Sequence, residues 1–172
     1  MHIKFDFQSL LIISCGTGEH VVRAARERAN VVALDISPKA VKNAQEMMQL
    51  HGLQADYLVA DAGNTGLPNQ AFDIVWGNAV LHHLEHKKCS SEIARILTFG
   101  GIAIITIPGD WRRNNTRTFN HLNYNGHYRD YGLDVFQILR NSFSDVKKCN
   151  LFNFNGEKHG INPFETAFIC IK

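Results

Sequence analysis

Short apolar runs alternate with amphipathic segments along the first two thirds of the chain. Five runs predict β-strands, because they are too short for buried helices and end at acidic or turn-forming residues; they cover residues 10–13, 31–35, 54–60, 72–76 and 102–107. The last run is nearly all apolar, which is typical of a central strand buried on both faces. Because strands and helices alternate, the pattern predicts an α/β fold with a parallel sheet.

Helix signals lie between these runs. One helix is expected to begin near Glu19, and a second follows the capping residue Ser37, with Pro38 at its first position. Gly100-Gly101 predicts a break between a third helix and the next strand. Apolar residues at helical spacing predict the buried faces of the second and third helices: Val41, Ala44, Met47 and Met48, then Cys89, Ile93, Ile96 and Leu97.

The last third of the chain has a different pattern. Residues 110–131 show no periodicity and are rich in asparagine, arginine and aromatic residues. A loop of this length in a compact domain is usually functional or mobile. A short helix is expected at residues 133–140. Residues 143–154 and 164–171 predict an antiparallel pair of strands joined by the loop 155–163 at the end of the sheet.

Composition narrows the class of protein. A length of 172 residues fits a single domain over residues 1–172. Hydrophobic residues make up 45% of the chain and charged residues 20%, and no run approaches the roughly 20 apolar residues that cross a bilayer. The net charge of +2 gives no strong attraction to nucleic acid or to acidic membranes. We therefore expect neither a membrane nor a nucleic-acid partner.

The beginning of the chain and its cysteines suggest the compartment. The first residues lack an export signal, so we expect a cytoplasmic protein, and residues 1–8 are too few to form a separate N-terminal lid. The four cysteines are scattered and form no CxxC motif, which predicts buried thiols and not a disulfide framework. The sequence predicts no oligomeric state.

The chain is organised around the stretch at residues 10–20, where an apolar strand runs into a glycine-spaced turn and a helix N-terminus. Gly16 and Gly18 would let the backbone approach a ligand closely, while free N–H groups of the first helical turn point towards it. Such a turn also opens nicotinamide and flavin sites, and sometimes it is only a tight turn. Val21 stands where a dinucleotide site would have a third glycine, which disfavours a nicotinamide oxidoreductase.

Four ordered motifs resemble the class I S-adenosylmethionine-dependent methyltransferases, in particular their Rossmann-like type 11 branch. They are Ser14-Cys15-Gly16-Thr17-Gly18-Glu19-His20, Val32-Ala33-Leu34-Asp35-Ile36-Ser37, Asp61-Ala62 with Phe72-Asp73-Ile74-Val75, and Arg95-Ile96-Leu97-Thr98-Phe99-Gly100-Gly101. The resemblance extends over most of the chain. It implies a three-layer sandwich with a mostly parallel seven-stranded sheet whose last strand is antiparallel, and S-adenosyl-L-methionine as cofactor at the C-terminal strand ends.

The resemblance also implies roles for individual residues. Asp35 would accept hydrogen bonds from both ribose hydroxyls, a charge-assisted arrangement, although it could instead be a surface carboxylate. Asp61 would accept from the adenine amino group beside the Ala62 N–H, although an aspartate before a glycine-rich loop is often only a turn former. The remaining implied cofactor residues are Ser14, Cys15, Gly16, Gly18, Ile36, Asn78 and Leu81, with the carbonyls of Gly16 and Asn78 facing the methionine ammonium.

The chain departs from the family pattern at several positions. Ile12 and Ser14 stand where the family usually has an acidic residue and a glycine, and Thr98-Phe99 replaces the usual Lys-Pro. These departures leave open weak cofactor affinity, a lid supplied by another subunit, or lost activity. A non-catalytic cofactor-binding module that acts through a partner is therefore kept as the alternative to a methyltransferase.

Methyl transfer from a sulfonium needs alignment of the reacting atoms more than a catalytic triad. If a general base helps, His82, His83 and His127 are candidates, because imidazole titrates near neutrality, although a polar residue in the wall of the site is the favoured interpretation of each. No metal is expected: His82, His86 and Cys89 have helical spacing, but no second pair completes a tetrahedral set.

We expect the segment 110–131 to form the wall of the site for a small-molecule acceptor with an oxygen or nitrogen nucleophile. Arginine and aromatic side chains could neutralise and stack on an anionic or aromatic molecule, and the small number of basic residues disfavours RNA. A solvated loop with anchoring aromatics remains the alternative. The candidate substrate residues are Trp111, Arg112, Tyr124, Tyr128 and Arg129.

Overall fold

The computed structural model describes residues 8–83, 85–122, 128–150 and 165–172. The strands are β1 Ser9–Ile13, β2 Asn30–Asp35, β3 Asp56–Val59, β4 Phe72–Asn78, β5 Leu97–Pro108, β6 Arg117–Thr118, β7 Arg129–Asp130, β8 Asp145–Asn150 and β9 Glu165–Ile171. The α-helices are α1 Glu19–Arg26, α2 Pro38–Leu50, α3 His86–Ile96 and α4 Val135–Arg140, and a single 3-10 turn covers Leu81–His83.

Seven strands form one sheet in the order β3-β2-β1-β4-β5-β9-β8. The pairs from β3 to β5 are parallel, whereas β9 runs antiparallel to both β5 and β8. The mostly parallel sheet with an antiparallel last strand, and the antiparallel pair at its end, are therefore confirmed. The structure does not describe residues 151–164. The end of the predicted strand 143–154 and the predicted loop 155–163 fall in this range.

Helices cover both faces of the sheet, as the repeating strand and helix pattern predicts. Within β1, Leu11 and Ile13 belong to the core shared with α3 and α4, while Leu10 and Ile12 belong to the core shared with α1 and α2. This strict alternation follows from the period of two in a strand, and β1 is apolar throughout because both faces are buried. The three-layer α/β sandwich is confirmed.

The second helix begins as its sequence indicates. Ser37 is the N-cap, its side-chain oxygen accepts a hydrogen bond from the Ala40 N–H at 3.3 Å, and Pro38 is the first helical residue. Val41, Ala44 and Met48 are buried against the sheet, with Met47 packed beside them. This cap matters for the site because it fixes where the chain turns after β2.

The predicted break at the double glycine is wrong. Helix α3 ends at Ile96, and β5 begins at Leu97, which pairs with Phe72 before the register shifts and Ile102 pairs with Ile74. The glycines lie in this irregular part of β5, where Gly100 has a φ of 75° and a Cβ on Gly101 would lie 2.9 Å from the Thr98 carbonyl oxygen. Local composition indicated a turn, but pairing with β4 extends the strand through it.

The segment 110–131 is more ordered than its sequence suggests. Strands β6 and β7 pair antiparallel, with Arg117 opposite Asp130, and Tyr131 is fully buried. The expectation of a segment without secondary structure is wrong in this respect, because one buried aromatic residue and a short hairpin order a polar sequence. Residues 123–127 lie outside the described part of the chain. The short helix that follows is confirmed as α4.

All four cysteines are free thiols, and Cys15, Cys89 and Cys170 are buried. Burial raises the pKa of Cys89 to about 12, so this thiol is protonated and unreactive at neutral pH. The prediction of buried thiols is confirmed for these three. Among the helices that the structure describes, none has the length and apolar character needed to cross a bilayer.

Candidate functional site

The C-terminal ends of β1, β2 and β4 meet at one edge of the sheet. The chain passes from β1 to β2 on one side and returns from β3 to β4 on the other, so the topological switch point lies between β1 and β4. Open α/β sheets bind ligands in the crevice at such a point. A separate cavity of about 720 Å³ opens elsewhere, beside Ser9, Gln49 and Tyr57, and none of the predicted site residues that the structure describes lines it. We therefore assign the site by topology and chemistry.

Three positions with left-handed backbone, Ser14, Gly16 and Gly18, form the turn between β1 and α1. Ser14 has a φ of 56° and Gly16 a φ of 52°. Residues other than glycine adopt this conformation only at a cost in free energy. The Cys15 N–H donates to the Leu34 carbonyl at 3.0 Å, which ties the turn to the end of β2. Residues in such strained conformations cluster at functional sites.

The two predicted cradle glycines have different surroundings. A Cβ on Gly16 would meet nothing within 4 Å, so this backbone has open space beside it. A Cβ on Gly18 would lie 2.8 Å from the Cα of Ala44 in α2, and Gly18 has a φ of 92°. Gly16 thus leaves room for a ligand, whereas Gly18 is required for close packing of the turn on α2. The sequence assigned both glycines to ligand approach because it did not reveal that helix contact.

Asp35, the last residue of β2, points back to the turn. Its carboxylate accepts a hydrogen bond from the Gly16 N–H at 3.2 Å and another from the Ser37 N–H at 2.9 Å. The next residue, Ile36, has an unusually large exposed fraction of 68% for an apolar side chain. A carboxylate beside an open glycine turn, followed by an exposed apolar residue, suits a ligand with both hydroxyl groups and a flat apolar part.

Asp61 follows β3 at the same edge. The Ala60 N–H donates to the Asp35 carbonyl oxygen at 3.1 Å, which brings the two chain segments together. The Asp61 Oδ1 accepts from the Gly63 N–H at 2.8 Å, so Asp61 shapes its own turn, and the adjacent Ala62 is buried. The turn-forming role that the sequence left as an alternative is therefore present, and the adenine contact stays a prediction.

An ion-pair network that the sequence analysis missed anchors the loop after Asp61. Glu92 of α3 accepts from the backbone N–H and the hydroxyl of Thr65 at 2.9 and 2.6 Å, and from Arg95 Nε at 2.7 Å. These hydrogen bonds, those from Arg95 first, lower the pKa of Glu92 to about 2. The sequence does show Glu92 and Arg95 three residues apart, a spacing that predicts an ion pair on one helix face. It does not show that Thr65 in the loop is their partner.

The end of β4 is also strained. Ala79 has a φ of 50°, and its N–H donates to Thr106 in β5, to the hydroxyl at 2.9 Å and to the carbonyl at 3.1 Å. Asn78 is exposed at this edge. Leu81 is fully buried in the core on the α3 side, and its carbonyl accepts from the Tyr131 hydroxyl at 3.1 Å. Its predicted contact with the cofactor stays a prediction.

The histidine candidates lie in different environments. His82 is 2% exposed and His83 is exposed, with their ring centroids 4.0 Å apart. His127 lies outside the described residues. His86 is close to the Tyr131 hydroxyl, at 3.3 Å from Nδ1, and burial lowers its pKa, with the charges of Arg129 and Lys87 adding to the effect. Of the described candidates, His83 is the exposed residue.

Another histidine, which the sequence analysis did not single out, lies in α1. The ring of His20 packs on Trp76 with centroids 5.0 Å apart, and its buried Nδ1 has no hydrogen-bond partner among the described residues. Burial lowers the pKa of His20, and the nearby Arg23 lowers it further. His20 is therefore expected to be neutral at pH 7.

The predicted substrate residues that the structure describes have different surroundings. Trp111 packs edge-on against Phe168 of β9, with centroids 5.5 Å apart, and Arg112 pairs with Asp110 through Nε at 2.9 Å. Tyr128 is 43% exposed. Arg129 lies in β7 and Tyr124 is outside the described residues. Trp111 is thus an anchor of the segment, as the alternative interpretation holds, and the substrate role of the group stays a prediction.

Potential metal ligands are dispersed. Within the described ranges, no three side chains of His, Cys, Asp or Glu are grouped so that they could hold a metal ion. Cys89 is a fully buried thiol in α3, and His86 is oriented towards Tyr131. The site is therefore assigned from its hydrogen-bonding groups.

Comparisons with known proteins agree with this fold. The family model described as a methyltransferase domain matches residues 11–105. An uncharacterized methyltransferase of Mycobacterium bovis is 34% identical over 117 residues, which are 65% of this chain and 57% of that protein. A 2-methyl-6-phytyl-1,4-hydroquinone methyltransferase of Synechocystis is 30% identical over 111 residues, 63% of this chain and 34% of that protein. The chain thus spans slightly more than half of the first relative and about a third of the second.

A solved structure extends the comparison to the whole fold. The S-adenosylmethionine-dependent methyltransferase from Mesorhizobium loti superposes with a TM-score of 0.74 at 16% identity, over 99% of this chain and 94% of that one. At this identity the likeness shows the fold alone. The match over residues 11–105 shows more: the chain belongs to the methyltransferase domain family. The resemblance to class I S-adenosylmethionine-dependent methyltransferases is confirmed.

Proposed function

We propose that the protein transfers a methyl group from S-adenosyl-L-methionine to a small-molecule acceptor by in-line displacement. The observation that carries the proposal is the Asp35 carboxylate, which is 3.2 Å from the N–H of the open Gly16 turn. This arrangement fits the cofactor, because a Cβ is absent where the backbone has free space and a carboxylate stands beside that space. Family membership supports the same assignment.

Each residue at the edge has a part in this proposal. Asp35 holds the ribose hydroxyls, the exposed side chain of Ile36 packs on the adenine, and the Asp61 loop borders its polar rim. The carbonyls of Gly16 and Asn78 face the ammonium group. When bound, the cofactor supplies a methyl group already activated on a sulfonium sulfur, so the chain's residues need only bind, align and exclude water.

A small-molecule acceptor is supported by the relative from Synechocystis, whose name gives a substituted hydroquinone as substrate. The strongly exposed Tyr128 and the hairpin β6–β7 are the described parts of the proposed acceptor wall. His83 is the described candidate for a base, because the residue is exposed whereas His82 is buried. A cytoplasmic location and a single domain over residues 1–172 are kept as predictions from the sequence.

A non-catalytic cofactor-binding module is the second candidate, and the observation that favours it is Ile12. This side chain is 1% exposed and packs in the core with Ile74 and Ile104, where the family usually has an acidic residue. The methionine ammonium would therefore depend on backbone carbonyls alone. Binding without turnover would support this candidate over the enzyme.

Calorimetry with four ligands tests the proposal. S-adenosylmethionine and S-adenosylhomocysteine are expected to bind, whereas free methionine and NADH, the matched controls, are not. Mass spectrometry of acceptor mixtures incubated with methyl-labelled cofactor then separates the enzyme from the binding module. Failure of both adenosine ligands to bind at millimolar concentration would refute the proposal, and tight NADH binding would favour an oxidoreductase.

A further inference from the structure

The hydroxyl of Thr106 links two groups at the end of β4. It donates a hydrogen bond to Asn78 Oδ1 at 2.6 Å, and it accepts one from the Ala79 N–H at 2.9 Å. Thr106 and Asn78 are paired residues of adjacent parallel strands, so the contact is built into the sheet register. The side chain of Asn78 is thus held by a residue 28 positions further along the chain.

This contact fixes which end of the Asn78 amide faces Thr106 and which end is left for a ligand. Because the Ala79 N–H already donates to the Thr106 oxygen, the hydroxyl proton points to Asn78, and the oxygen of the amide must receive it. The NH₂ group then faces away from Thr106. Among the described residues no group accepts a hydrogen bond from it, and Asn78 is exposed at the edge of the sheet. The Asn78 side chain therefore keeps two N–H donors available for a ligand.

Asn78 ends β4 at the same edge of the sheet as the turn after β1. β1 and β4 are neighbours, with Ile13 opposite Gly77, so the strained residues Ser14 and Ala79 lie at adjacent strand ends. A left-handed conformation of alanine costs free energy, and the surrounding hydrogen bonds must offset this cost. Thr106 supplies both of the hydrogen bonds that hold the Ala79 N–H.

We propose that Asn78, oriented by Thr106, donates hydrogen bonds to the acceptor and selects an oxygen nucleophile over an amine. The proposal rests on the proposed methyl transfer and names its acceptor class: a carboxylate or a phenolate. Such an oxygen keeps a free lone pair for attack after accepting one or two hydrogen bonds. A neutral amine has a single lone pair, and an N–H donor would occupy the pair that must attack.

The atoms and electrons balance without a further reactant. An oxygen lone pair of the acceptor forms the new O–C bond while the C–S bond breaks, and the electron pair of that bond remains on sulfur. A carboxylate or phenolate has already lost its proton to solvent. Asn78 therefore needs no basicity. Thr106 touches no reacting atom and is a positioning residue, whereas the Asn78 amide contacts the acceptor.

Nuclear magnetic resonance can test the contact without turnover. The side-chain NH₂ signals of Asn78 are assigned by their loss in Asn78→Asp, and protein loaded with S-adenosylhomocysteine is titrated with benzoate, nitrophenolate and the neutral amine aniline. We expect benzoate and nitrophenolate to move these signals downfield and aniline to leave them unchanged. An equal shift with aniline, or no shift with either oxyanion, would overturn the proposal.

Variants at Thr106 separate positioning from a merely structural role. Thr106→Val keeps the shape of the side chain and removes the hydroxyl, so benzoate affinity should fall about three- to ten-fold, the value of one hydrogen bond. Thr106→Ser should restore benzoate affinity, and both variants should bind S-adenosylhomocysteine within about two-fold of wild type. Equal losses of benzoate and S-adenosylhomocysteine affinity, or full benzoate affinity in Thr106→Val, would contradict the positioning role of Thr106. If wild-type protein fails to bind S-adenosylhomocysteine, the proposed function fails and this inference falls with it.

Discussion

The two halves of the candidate site are built in different ways. The cofactor half consists of strand ends and a turn whose contacts join consecutive elements of the chain, such as Asp35 with Ser37 and with Gly16, which is 19 positions away. The acceptor half is held by contacts between distant segments, such as the buried Tyr131 hydroxyl with Leu81. Substitutions in the cofactor half should therefore change stability or affinity through the contacts of the substituted residue itself. Those in the acceptor half should change them through the packing of whole segments.

The largest expected effect distinguishes two glycines of one turn. Gly18→Ala should lower the free energy of unfolding by about 3 kcal/mol, because its Cβ would overlap Ala44 and its backbone is left-handed. Gly16→Ala, the matched control, has only the backbone cost and should lose about 1 kcal/mol. Urea unfolding measures both values. Equal losses would contradict the assignment of Gly18 to packing against α2.

The Glu92 network should give the next largest effect. Glu92→Gln should cost about 2 kcal/mol, because it weakens charge-assisted hydrogen bonds to Thr65 and Arg95 around a largely buried carboxylate. Glu46→Gln is the matched control, since Glu46 is an exposed partner of Lys42 at 3.7 Å and should contribute little. Thermal unfolding of both variants measures the difference. A loss no larger than that of the control would refute the anchoring role.

The same residue predicts a pH dependence. Folding lowers the pKa of Glu92 from 4.5 to about 2, so its contribution to stability is complete above pH 4.5 and is lost as the pH falls towards 2. Wild-type protein should therefore lose stability more steeply over this window than Glu92→Gln does. Urea unfolding at several pH values measures the slopes. Parallel pH profiles would contradict the low pKa.

The hydroxyl that joins the acceptor half to the loop after β4 should have a smaller effect. Tyr131→Phe should lower the free energy of unfolding by about 1 kcal/mol, because the buried Leu81 carbonyl loses its donor. Tyr57→Phe, at the other end of the sheet, is the control. Denaturant unfolding compares the two. No difference between the variants would show that this hydroxyl does not join the segments.

Relief of backbone strain should give the smallest change. Ser14→Gly should raise the free energy of unfolding by about 0.5 kcal/mol, since glycine removes the left-handed penalty at a φ of 56° but adds chain entropy. Gln70→Gly, with a φ of 55°, should stabilise similarly. Only the change at Ser14 is expected to alter cofactor affinity in calorimetry. An equal change in affinity in both variants would place Ser14 outside the crevice.

Sequence patterns predicted the fold where local physics decides the structure. The apolar run of β1 and the Ser37-Pro38 cap define their elements without distant partners, and both are confirmed. The extension of β5 through Gly100-Gly101 was missed because strand pairing overrides the local turn signal. The resemblance to the methyltransferase family implied that Asp35 and Gly16 are both cofactor residues, and the structure brings the two together.

The acceptor half was less predictable for a physical reason. Its contacts join residues far apart in sequence, such as Tyr131 with Leu81 and Thr106 with Asn78. No periodicity encodes such pairs, because each depends on the register of two strands or on the docking of a loop to a helix. Trp111 illustrates this, since an aromatic residue in a polar segment could face a ligand or anchor the segment on β9.

A matched pair of aspartate variants tests the central claim most directly. Asp35→Asn removes one charge from the proposed ribose contact, whereas Asp56→Asn makes the same change at the start of β3, away from the C-terminal strand ends. In calorimetry with S-adenosylhomocysteine, the first variant should bind about 10- to 100-fold more weakly than wild type and the second should be unchanged. Unchanged affinity in Asp35→Asn would contradict the cofactor crevice.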